Sequence, residues 1–126
     1  MTELNIFQDA IAAKYDAHCE AFSAGDADRL VREFFAEDAM WSGPGLPERL
    51  GRADLLTMFR GLVAGATVSH TPGRARVDGN RGWDFRDWHV QPRDGSSGWT
   101  FRSLFCWVRR DGEWLCDAVN CFVADQ

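Results

Sequence analysis

The strongest chemical candidates lie two residues apart in Trp83-Asp84-Phe85-Arg86-Asp87-Trp88-His89, where Asp87 and His89 occupy positions i and i+2. In an extended segment they share a face with Trp83 and Phe85, because successive strand side chains point to opposite sides. Their backbones then stand ~6–7 Å apart, near enough to meet or to bracket a group on a bound molecule. An imidazole beside a carboxylate holds one tautomer and keeps its proton more readily. On this parity His89 is a general acid or base, and Asp87 orients it. Asp84 and Arg86 then read as outward cross-strand charges. The opposite parity turns Asp87 and His89 to solvent and brings Trp88 inward.

A further titratable group, His18, falls on the apolar stripe Leu4, Phe7, Ile11, Tyr15, His18, Phe22 of a predicted first helix over 3–23. It reads either as a core or rim histidine with a backbone partner or as a cavity-lining acid. His70 reads as an edge or surface histidine. The four cysteines, at 19, 106, 116 and 121, show no zinc-ligand spacing and read as free thiols.

The elements that must position these groups follow from local signals. Gly25 suits a left-handed helix end and Asp26 the next N-cap, giving a second helix with Ala27, Leu30, Val31, Phe34 and Phe35 on its apolar side. Ala39-Met40-Trp41-Ser42 reads as a short strand, GPGLP as a turn and Glu48-Arg49-Leu50 as a second short strand. A third helix opens at Gly51 and runs to about Ala64. Thr67–Val77 is an edge-strand candidate with a bulge at Pro72-Gly73, and Asp78-Gly79-Asn80 is a hairpin turn. Three long strands follow, carrying WDFRDWHV, WTFRSLFCWV and WLCDAVNCFV. Helices first and a long meander last argue for an α+β fold, with helices on one face of a bent antiparallel sheet.

A chain of 126 residues is expected to form one domain over 1–126. The formal charge of −5 argues against nucleic acid as a partner. With no long apolar run and no signal-peptide pattern, no membrane association and a cytoplasmic location are expected. The glycines at 43, 45 and 51 fit neither phosphate-binding fingerprint, and nothing demands a metal, nucleotide or flavin cofactor.

Four motifs in order, Ser23-Ala24-Gly25-Asp26-Ala27-Asp28, Phe35-Ala36-Glu37-Asp38-Ala39, Gly51-Arg52-Ala53-Asp54-Leu55-Leu56 and Arg110-Asp111-Gly112-Glu113-Trp114, carry a resemblance. With these the chain resembles the SnoaL-like and ketosteroid-isomerase-like proteins of the nuclear-transport-factor-2-like superfamily. The resemblance implies a cone-shaped, cystatin-like curved antiparallel sheet wrapped on three N-terminal helices. It implies a deep apolar pocket, and a homodimer commonly formed through the outer sheet face. Members include isomerases, dehydratases, polyketide cyclases and epoxide hydrolases, as well as non-enzymatic binding and association domains, so fold alone does not choose. The steroid-isomerase base falls on Gly43, the oxyanion tyrosine on His18 and the protonated aspartate near Phe105, so activity of that aspartate type is not expected. A histidine carried by many relatives in the last strand falls on Asn120.

The expected pocket wall comprises Trp83, Phe85, Asp87 and His89, then Ser103, Phe105 and Trp107, then Cys116, Ala118 and Asn120, with Trp41, His18, Phe22, Met58, Phe59 and Leu62. Aromatic walls favour a small, apolar, ring-containing molecule. Two functions follow. One is cofactor-independent proton transfer (isomerisation, dehydration or cyclisation) with His89 or His18 moving the proton and Asn120 or Ser103 holding a developing oxyanion. The other is a non-enzymatic ligand-binding or dimerisation module.

Overall fold

The structure is a computed structural model that describes residues 2–122. Three helices, α1 (Glu3–Ser23), α2 (Ala27–Phe34) and α3 (Gly51–Gly65), pack against one face of a curved, unclosed six-stranded sheet. The strands are β1 (Phe35–Ser42), β2 (Arg49–Leu50), β3 (Ala66–Asp78), β4 (Arg81–Pro92), β5 (Trp99–Arg110) and β6 (Glu113–Phe122), in the order β2-β1-β6-β5-β4-β3. The pairings are antiparallel except that β1 runs parallel to β6. The expected helices and long strands are present. Phe35, expected to close the second helix, opens β1 instead: its backbone is extended and only its N–H still reaches back to Val31. Val123, the last residue of the expected final strand, lies outside the described residues.

Caps fix the helix ends. The Thr2 hydroxyl accepts from the Asn5 N–H, Gly25 takes the left-handed conformation (φ 72°), and the Asp26 carboxylate accepts from the Arg29 N–H. Two arginines then clamp helix ends to the rest of the chain. Arg93, just past β4, donates to the carbonyls of Phe22, Ser23 and Val63 at the ends of α1 and α3. Arg52 donates to the carbonyls of Phe35 and Arg32. Both side chains satisfy carbonyls that a terminating helix or an entering strand leaves open.

The core lies between the concave face of the sheet and the helices. Phe7, Ile11, Tyr15, Phe22, Leu30, Phe34, Leu55 and Phe59 meet Trp88, Phe105, Trp107, Trp114 and Val119. Three register irregularities shape the sheet, the first between Phe35 and Met40 where β1 meets β6. The β3–β4 register shifts between Pro72 and Ala75, as the Pro-Gly pair predicts, and Gly73 lies so close to the Phe85 carbonyl that a Cβ would sit 2.9 Å from it. The β5–β6 register shifts at Cys106/Trp107, opposite Cys116–Ala118.

Candidate functional site

The parity of β4 is the reverse of the expected one. Asp84, Arg86, Trp88 and Val90 are buried on the concave face, and Trp83, Phe85, Asp87 and His89 lie on the convex face. Asp87 is 44 % exposed at its side chain and pairs with Arg102 at 2.8 Å. His89 is exposed and reaches only Gln91, at 3.5 Å. The candidate His89/Asp87 acid–base pair therefore points away from the interior. Trp83 and Phe85, expected in the pocket, pack on each other outside (5.7 Å between rings).

The physical reason is that Asp84 and Arg86 satisfy one another and are met by donors from other elements. The Asp84 carboxylate, 1 % exposed, accepts from Tyr15 Oη (2.9 and 3.1 Å), Trp107 Nε1 (2.7 Å) and Arg86 Nε (2.9 Å). Every partner is a donor, so the group is held as an acceptor-only carboxylate. Burial pushes its pKa up, and the Trp107, Arg86 and Tyr15 hydrogen bonds oppose the rise. Burial, with the Asp84 charge next in weight, holds the Tyr15 hydroxyl firmly protonated. The Arg86 guanidinium also lies over the Tyr15 ring, 4.0 Å from its centroid.

Asn120 is likewise displaced. The β5–β6 bulge puts Cys116 and Val119 inward in turn, leaving Ala118 half-buried and Asn120 exposed, where Asn120 Oδ1 accepts from Ser42 Oγ at 3.1 Å. Ser103, Phe105 and Trp107 do lie on the concave face, and Ser103 Oγ contacts Cys121 Sγ at 3.2 Å. Phe59 is buried and Trp41 half-buried against the core, while Leu62 is exposed at 44 %.

His18 lies inside, 6 % exposed, ringed by Phe34 (4.5 Å between centroids), Trp88 (5.7 Å), Phe59 (5.8 Å), Phe22 (6.3 Å) and Phe35 (6.4 Å). Its Nδ1 is fully enclosed and has no hydrogen-bond partner among the described residues. The Trp88 indole N–H is enclosed and unpartnered in the same way. Burial, reinforced by His70, lowers the His18 pKa to about 3, so the ring is neutral at pH 7. His18 also borders a cleft of about 50 Å³ between α1 and α2, lined by Lys14, Ala17, Arg29, Leu30, Glu33 and Phe34. That is room for a water molecule beside the ring.

His70, read from the sequence as an edge or surface histidine, does lie on the edge strand β3; it is half-buried there and pairs with Trp88 across β3–β4. Its ring lies 5.1 Å from Trp88 and 5.3 Å from Tyr15. Burial and the adjacent Arg86 lower its pKa. The interior corner thus holds two histidines on either side of Trp88, with the Asp84–Arg86–Tyr15–Trp107 network behind them. His18 is legible in the sequence, whereas the network is not. The available signal was the opposite charges of Asp84 and Arg86 at i and i+2, a spacing that lets them neutralise each other on one face.

A larger hollow of about 260 Å³ lies at the other end of α1, lined by Ile6, Phe7, Val77 and Trp114. Its charged side chains are engaged: Glu3 accepts from the Gly79 N–H, and Arg109 donates to Asn80 and covers Trp114. Among the described residues no three histidine, cysteine, aspartate or glutamate side chains converge as metal ligands would. None of the described helices is long and apolar enough to cross a membrane.

The family model described as a SnoaL-like domain matches residues 15–116. No curated protein matches the sequence. Among solved structures, one similar chain is an NTF2-like protein with a cystatin-like fold from Novosphingobium aromaticivorans. Its identity is 18% and its TM-score 0.81, covering 94% of this chain and 82% of that one. A ketosteroid isomerase-like protein from Erwinia carotovora atroseptica is similar at 14% identity and TM-score 0.77, covering 94% of this chain and 96% of that one. An NTF-2 like protein of unknown function from Shewanella oneidensis is similar at 15% identity and TM-score 0.78, covering 91% and 98%. At these identities the likeness shows a shared fold.

Proposed function

We propose for this chain, which belongs to the SnoaL-like domain family, that it binds a small, apolar, ring-bearing molecule at the His18–Trp88 corner and moves a proton on it. The observation that carries the reading is the enclosed, unpartnered His18 Nδ1 in a wall of aromatic rings. A buried polar atom without a partner costs roughly 1–3 kcal/mol, and a guest that hydrogen-bonds to it removes that cost. Neutral His18 starts as an acceptor. Held near 3, it is a weak base, and a substrate that becomes anionic beside it raises its proton affinity as the proton transfers. The reaction class is isomerisation, dehydration or cyclisation without a cofactor. Rings of Phe22, Phe34, Phe35 and Phe59 supply stacking area.

Replacement of His18 separates binding from chemistry. Once a ring-bearing ligand is found by ligand-observed NMR, His18→Gln is expected to lower proton exchange or turnover by ~100-fold or more while affinity stays within a few-fold. His89→Gln is expected to leave both unchanged, since His89 lies on the other face. Unchanged turnover in His18→Gln excludes His18 as the proton carrier.

The convex face supports a second role, self-association. Trp83, Phe85 and Phe122 form a half-buried aromatic cluster there, with none of the described elements packed over it.

A further inference from the structure

Asp84 receives donors from three side chains, and Arg86 is fixed by Asp84 on one side and by the Tyr15 ring on the other. The free arm of that guanidinium, Nη1, reaches His70 Nδ1 at 3.3 Å. Arginine has no lone pair to offer, so it must be the donor and His70 Nδ1 the acceptor. An imidazole that accepts at Nδ1 carries its proton at Nε2. We propose that Arg86 is a positioning residue that holds His70 as a neutral Nε2–H donor, so that the corner prefers ligands bearing a lone-pair oxygen. The ligand half of this rests on the binding corner proposed above, whereas the tautomer half does not.

Two further observations bear on it. His70 and His18 flank the same Trp88 ring, 5.1 and 5.7 Å away, and the unpartnered, enclosed His18 Nδ1 independently marks a place for a polar group. The charged groups around His70 are Arg86 from β4 and Asp16 from α1, with neutral Tyr15 and His18 beside them. Asp16 makes no ion pair with His70, so the Arg86 contact is the one that selects the tautomer.

Imidazole nitrogen spectra of protein labelled with 15N-histidine read the tautomer directly. Wild type at pH 7 is expected to show His70 as the Nε2–H form alone. Arg86→Met is expected to give a mixture of both tautomers. If that variant does not fold because Asp84 is left unpaired, the double variant Asp84→Asn with Arg86→Met removes both buried charges and takes its place. An Nδ1–H or imidazolium signal in wild type, or an unmixed Nε2–H signal in the variants, overturns the proposal. For the ligand half, 2-indanone is expected to bind at least tenfold more tightly than indane and to shift the His70 Nε2–H signal. His70→Phe is expected to erase the difference. Equal binding of the two probes overturns the preference. If neither probe binds, the binding corner itself fails, and the tautomer result still stands or falls on the spectra.

Discussion

A histidine that is 6 % exposed, with one ring nitrogen unpartnered, can be charged only at the expense of the fold. His18 titrates near 6.5 when unfolded and at about 3 when folded. Between those values the unfolded chain binds more protons, so stability rises with pH there. The stabilisation is complete above pH 6.5 and is lost as pH falls. At ~1.4 kcal/mol per pH unit, the loss between pH 7 and pH 5 is about 2 kcal/mol. Urea midpoints at both pH values are expected to show that loss in wild type and not in His18→Phe. An equal decline in the two proteins places the acid sensitivity elsewhere. His18 was legible because a titratable residue on a helical apolar stripe stands out. Its missing partner was not, because that depends on rings supplied by α2, α3 and β4.

At the scale of the element, β4 shows the limit of alternation. A two-residue period separates the faces of a strand but does not say which one is inside when both carry aromatics. Trp83 and Phe85 argued for one face and Trp88 for the other. The decision came from Tyr15 on α1 and Trp107 on β5, whose donors make a buried Asp84 tolerable. The same contacts pin α1 to the sheet. Asp84→Asn strips Arg86 of its counter-charge in the interior, and a loss of ~3–5 kcal/mol is expected, read by chemical denaturation. A loss below ~1 kcal/mol would mean that the ion pair contributes little to holding α1 in place. Asn120 missed the interior because one residue of bulge inverts everything beyond it. By contrast, Gly25 and Asp26 act through local backbone geometry, and their helix boundary could be read without tertiary context.

For the whole molecule, the order of elements and their turn chemistry made the α+β architecture legible. The parallel β1–β6 pair was not, since short strands carry no signal of their direction or neighbour. The sheet has two unlike faces: the concave one buries an ion pair, and the convex one displays Trp83, Phe85 and Phe122. Self-association through the convex face predicts a particle of twice 14.2 kDa in solution. Replacing Trp83 and Phe85 with lysine is expected to give a folded monomer by light scattering, with an unchanged far-ultraviolet spectrum. A wild-type protein that is already monomeric at high concentration would rule that interface out.

The irregular edge strand bears on how the protein behaves when crowded. β3 extends for 13 residues at the border of the sheet, long enough to template the addition of a foreign strand. Pro72 withholds a donor, the register shift before Ala75 bends the ladder, and exposed Arg74 and Arg76 add like charges that repel another copy. The bulge that looks like a flaw in pairing divides this border into two shorter runs, which shortens the continuous row of open hydrogen bonds available for fibril growth.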